Sequence, residues 1–154
     1  MTLYEQLLDT ADNQNIIVKE KPLTENDGLI CRNRIAIRSS LPTTKEKTCV
    51  LAEELGHYYT TAGDIIDLND ANNRKQELRA RAWGYNRLIG LAGLVQAFEY
   101  GCRNRYEMAE YLDITEEYLE DALKHYRSKY GVYTTFDQYV IYFQPYFSMA
   151  KIFS

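Results

Sequence analysis

LAEELGHYY, residues 51–59, is the stretch on which the reading of this chain turns. It continues a helix that begins near TTKEK, where Thr43 or Thr44 supplies an N-cap, and Val50, Leu51 and Leu55 give that helix an apolar stripe. Glu53 and His57 are four residues apart, so a helix projects them from one face. Glu54 follows roughly 100° further around the axis. Gly56 sits inside the same helix, where a glycine costs on the order of 1 kcal/mol, so its presence predicts a close approach to the backbone at that point.

In an HExxH helix the two outer residues bind zinc and the middle acid takes a proton from water. Here Glu53 occupies the first outer place, His57 the second, and Glu54 the place of the base. A catalytic zinc site needs a third protein ligand. Glu77, on the helix beyond the next loop, is the best candidate, with Asp64 and Asp67 in the loop as alternatives. The spacing also admits a simpler reading, in which His57 caps its helix or pairs with Glu53, and Glu54 and Glu77 are solvated acids. Tyr58 and Tyr59 are read as packing residues, with oxyanion stabilisation as the alternative.

Outward from this helix, Leu3, Leu7 and Leu8 predict a first amphipathic helix over about residues 2–10. IIVKEKPL, GLICR and RIAIRSS predict three strands, the last two forming a hairpin around Asn33, and Asn26-Asp27-Gly28 reads as a turn. A long helix is expected over about 74–89, interrupted by Gly90 or Gly93, with its Trp83, Tyr85, Leu88 and Ile89 in the core. EMAEYLDITEEYLEDALKHYRSKYG holds two helices around Asp113-Ile114-Thr115, with Thr115 as cap and Gly131 as stop. The tail VYTTFDQYVIYFQPYF suggests a short hairpin with mostly buried aromatic residues. The result is an α+β layout.

Composition narrows the function classes. The 154 residues are 45% hydrophobic and 26% charged, which is globular. Cys31, Cys49 and Cys102 form no CxxC pair, so neither a disulfide framework nor a cysteine zinc site is implied. No apolar run approaches the roughly 20 residues of a bilayer span, and the acidic N-terminus does not read as a secretory signal, so the expected compartment is the cytoplasm. The net charge of −4 opposes an extensive nucleic-acid surface. MAEYLDITEEYLEDAL has the outline of a helix-turn-helix, yet its second helix opens with Glu116, Glu117, Glu120 and Asp121, which phosphates would repel. Packing or protein contact is the expectation there. His125, near a helix C-terminus, is expected to interact with the helix dipole.

The chain resembles the ImmA/IrrE family of metallo-endopeptidases. The likeness rests on CVLAEELGHYY in place of that family's approach to HELGH, on QELRARAWGYNRLIG in place of its E-x-x-A-x-x-F segment, and on EMAEYLDITEEYLEDALKHY as its closing pair of helices. The resemblance implies a zincin-like α+β fold with a small antiparallel sheet and a helical C-terminal part. It suggests residues 1–100 as the metallopeptidase core, with 101–154 as a C-terminal helical segment and aromatic tail packed on it. It implies zinc as cofactor, with His57 and Glu77 as ligands and Glu54 as the catalytic acid. It further implies, as substrate, a partner protein such as a helix-turn-helix repressor of a phage or mobile element. Glu53 stands where the family has its first zinc-binding histidine. Two histidines and one glutamate leave zinc with a single net positive charge, whereas Glu53, His57 and Glu77 would leave it neutral and a weaker Lewis acid. Oxygen-rich ligation also moves preference toward manganese or iron. The alternative function is a non-catalytic regulator that binds a repressor through the C-terminal helices and tail.

Overall fold

The computed structural model describes residues 1–61 and 70–152. The loop expected after the LAEELGHYY helix, with the alternative ligands Asp64 and Asp67, lies outside the described residues. Contacts group the chain into two compact units, Met1–Arg87 and Leu88–Ser154. The 1–100/101–154 division expected from the sequence assigns the helix ending at Tyr100 to the first part; contacts group it with the second.

The first unit opens with α1 (Leu3–Asn13), started by a capping box in which Thr2 and Glu5 satisfy each other's backbone N–H groups. Tyr4, Leu7 and Ala11 bury one face. Strands β1 (Ile17–Lys21), β2 (Gly28–Cys31) and β3 (Arg34–Arg38) form a sheet of order β1-β3-β2. The β2–β3 hairpin is the expected one, its turn entered through Arg32 at φ 55°. β1 pairs with β3 in parallel, so this sheet is mixed and not purely antiparallel. Ile35 and Ile37 of β3 point inward and are essentially inaccessible; the register sets Val18 and Ile30 beside Ile35, and Glu20 and Gly28 beside Ile37.

Helix α2 (Thr44–Thr60) packs against α1, β2 and β3. Thr43 is its N-cap, its side chain accepting from the Glu46 N–H. Leu51, Ala52 and Leu55 are fully buried. An ion pair of 2.7 Å between Lys47 and Glu20 ties α2 to β1. Helix α3 (Asp70–Leu88) passes close to α2 at Gly56, where an added Cβ would lie 2.1 Å from the Ala80 carbonyl oxygen. The glycine predicted to mark a close backbone approach meets that carbonyl. Tyr59 stacks on Trp83 with ring centroids 5.0 Å apart, so both tyrosine and tryptophan pack between these helices.

The second unit holds α4 (Gly90–Tyr100), α5 (Arg105–Leu112) and α6 (Glu116–Tyr130). Gly90, at φ +63°, is the interruption, while Gly93 is ordinary helix. Asp113 turns the chain in the left-handed region, Thr115 caps α6 and Gly131 ends it. The tail is a three-stranded antiparallel sheet, β4 (Tyr133–Phe136), β5 (Tyr139–Tyr142) and β6 (Ser148–Lys151), rather than a hairpin alone. Its aromatic residues divide. Tyr139 and Phe143 are buried, the latter stacked on Tyr130, whereas Tyr133, Tyr142 and Tyr146 are exposed. Burial first, then Lys129, pushes the His125 imidazole below its ordinary pKa, so the expected favourable dipole effect does not govern it. Among the described residues no helix is long and apolar enough to cross a membrane.

Two of the mid-helix glycines, Gly56 and Gly93, make a paired stability test. Gly56→Ala should cost about 1–3 kcal/mol, because backbone carbonyl cannot yield as a side chain can. Gly93→Ala, whose new Cβ would meet side-chain methyls of Leu112 at 3.4 Å and Ile89 at 3.8 Å, should be neutral or gain up to about 1 kcal/mol. Urea unfolding of both variants measures the difference.

Candidate metal centre

The Gly56–Ala80 contact sets the register of the site. Glu53 and His57 lie three residues before and one after Gly56; Glu77 and Arg81 stand in the same relation to Ala80. Residues so spaced share the facing side of each helix. The result is two cross-helix pairs. His57 Nε2 lies 3.1 Å from Glu77 Oε1, and the Arg81 Nε–H donates to Glu53 Oε1 at 3.1 Å. Arg81 Nε is also 3.7 Å from Glu77 Oε2.

One donor atom from each of Glu53, His57 and Glu77 comes within 4.8 Å of the other two. An imidazole nitrogen and two carboxylate oxygens, converging from adjacent helices, suit a divalent cation of the zinc type, and the two oxygens also admit harder ions. The simple pairing of His57 with Glu53 is not what forms. Glu53 is held instead by Arg81, whose guanidinium keeps its proton above the ordinary range chiefly through that hydrogen bond.

Glu54 takes a different environment from its neighbour. It is 9% exposed, turned toward the sheet while Glu53 faces α3. Gly28 makes this possible: a Cβ there would lie 2.7 Å from Val50 Cγ1 and 3.0 Å from Glu54 Cγ. The edge strand β2 therefore runs directly against the Glu54 side chain. Burial, and secondarily the charges of Glu53 and Glu77, push the Glu54 carboxyl up to about 7. A carboxyl poised near neutrality can both take up and release a proton.

A cleft of about 640 Å³ opens beside these residues, lined by Ile30, Arg32 and Asn33 from the hairpin, His57 and Tyr58 from α2, and Gln76 from α3. It is bounded on one side by Ile30 of β2.

A family model described as Peptidase M78, the IrrE N-terminal-like domain, matches residues 11–139, well over half the chain. The chain belongs to this family. Its α+β architecture is that of a zincin-like M78 domain, and the family is one of metallopeptidase type. No curated protein and no solved structure matches the chain.

Two residues that shape this cluster escape sequence reasoning. Arg81 reads as one basic residue among several in QELRARAW; its signal is its i,i+4 relation to Glu77, which sets both on the face that meets α2. Gly28 reads as the end of a turn, and only the sheet register shows that its missing side chain makes room for Glu54.

The raised Glu54 pKa has a signed effect on stability. With the folded value near 7 and the ordinary value at 4.5, the unfolded chain ionises first as pH rises. The contribution of Glu54 to the stability of the metal-free protein therefore declines between those values and levels off above the upper one. In chelator, Glu54→Gln should be more stable than wild type by roughly 2 kcal/mol at about pH 8, and the two should converge near pH 4. Denaturant titrations at the two pH values check this.

Proposed function

We propose that this M78 protein is a metal-dependent endopeptidase acting on a regulatory protein, such as a helix-turn-helix repressor of a phage or mobile element. The observation that carries the reading is the convergence of Glu53, His57 and Glu77 within 4.8 Å, next to the buried acid Glu54. Glu53, His57 and Glu77 would hold the cation, zinc first, manganese or iron as alternatives. When bound, such an ion polarises a peptide carbonyl and acidifies water.

The remaining work falls to the chain itself. Glu54 accepts a proton from the attacking water and passes it to the departing amine, a cycle suited to a carboxyl near neutrality. Strand β2 lies at the sheet edge, so its outer backbone groups can pair with an extended substrate. Gly28 lets that strand lie against Glu54, and the adjoining cleft receives side chains on the His57–Tyr58 side. Such backbone pairing selects extended polypeptide, consistent with a linker or unfolded loop of a protein as the site of cleavage. The exposed tyrosines of the β4–β6 sheet offer a further surface for a protein partner.

A second reading, a non-catalytic regulator on the same fold, draws on the Arg81–Glu53 hydrogen bond, which satisfies Glu53 without a metal. Zinc-loaded protein, incubated with the repressor encoded beside its gene, separates the two. The enzyme should cut the repressor, and cleavage should fall by at least about a hundredfold in Glu54→Gln and vanish in chelator. Stable binding of the repressor without cleavage would support the regulator instead. His57→Ala should bind no stoichiometric zinc by elemental analysis.

A further inference from the structure

We infer that Arg81 is a built-in cation that competes with the metal for Glu53 and Glu77, so that the site is stable when empty and loads only when metal is plentiful. This rests on the metal-site reading above and adds to it how occupancy is set. Arg81 Nε stands 3.1 Å from Glu53 Oε1 and 3.7 Å from Glu77 Oε2, on the two carboxylates a cation would need. A guanidinium so placed neutralises part of the charge that would otherwise drive the two acids apart. The same positive charge opposes arrival of a dication a few ångströms away.

Arg81 is also able to leave. Its side chain is 53% exposed and is held by the hydrogen bond to Glu53 and by charge rather than by packing on all sides. A long, flexible side chain at the surface can swing into solvent at small cost, which makes it a displaceable occupant. Glu53 is what Arg81 grips, and Glu53 is the residue that departs from the two-histidine pattern. The extra carboxylate and the arginine therefore act as a matched pair. Each added metal must break one charged hydrogen bond, so affinity is lower than the ligand set alone would give.

Zinc affinity, measured by competition with a fluorescent chelator on the full chain, tests this. Arg81→Met keeps the apolar stem and removes the charge; Arg81→Lys keeps the charge. The Met variant should bind zinc about tenfold more tightly or better, and the Lys variant should stay near wild type. In chelator the Met variant should also melt lower than wild type and recover its stability on adding zinc. Adding His57→Ala to the Met variant should abolish the gain. An orienting partner for Glu53 would give the opposite sign, since losing such a partner weakens binding by about 10–100-fold. Unchanged or weaker zinc affinity in the Met variant, or a gain that survives His57→Ala, would overturn the role of Arg81 while leaving the metal site standing. Absence of zinc binding in both wild type and the Met variant would overturn the metal site itself.

Discussion

Helix α3 can lie against helix α2 only because residue 56 has no side chain. The Ala80 carbonyl occupies the space a Cβ would need, and no rotamer change can relieve a clash between two backbones. Everything chemical in the first unit depends on that contact. It faces Glu53 and His57, about one turn apart on α2, toward Glu77 and Arg81, about one turn apart on α3, and the Tyr59–Trp83 stack reinforces the same packing. A crossing shifted by a single residue would turn these side chains by roughly 100° and scatter the cluster.

The electrostatics follow from that convergence. Three acids stand within a short span of two helices, and each is handled differently. Glu77 meets His57, Glu53 meets Arg81, and Glu54 is turned into the protein, where desolvation keeps its proton to near neutrality. Neighbouring residues in a helix thus have opposed environments, one polar and one dry. This is the arrangement that the proposed roles of ligand and base require. Glu53 brings a further negative charge to this cluster, and Arg81 supplies a positive one beside it.

The sheet completes the site from the other side. Gly28 lets the edge strand β2 lie against Glu54, which helps to bury that carboxyl. One small residue on each of two elements, Gly56 and Gly28, therefore sets the spacing of helix to helix and of strand to helix.

Much of this was legible in the sequence, because helical and hairpin geometry act over a few residues. The Thr43 cap, the shared face of Glu53 and His57, the offset of Glu54, the β2–β3 hairpin, and the stops at Gly90 and Gly131 all follow from local spacing. The close backbone approach at Gly56 was legible as well, since a helix-interior glycine is costly without one. What met it was not. The parallel pairing of β1 with β3, the grip of Arg81 on Glu53 and the burial of Glu54 beneath Gly28 join residues far apart in the chain. Local pattern carries no information on which distant surfaces touch. The sequence by itself determined which residues could bind a cation and transfer a proton; the tertiary structure decided their partners, because charge and desolvation depend on what packs within a few ångströms.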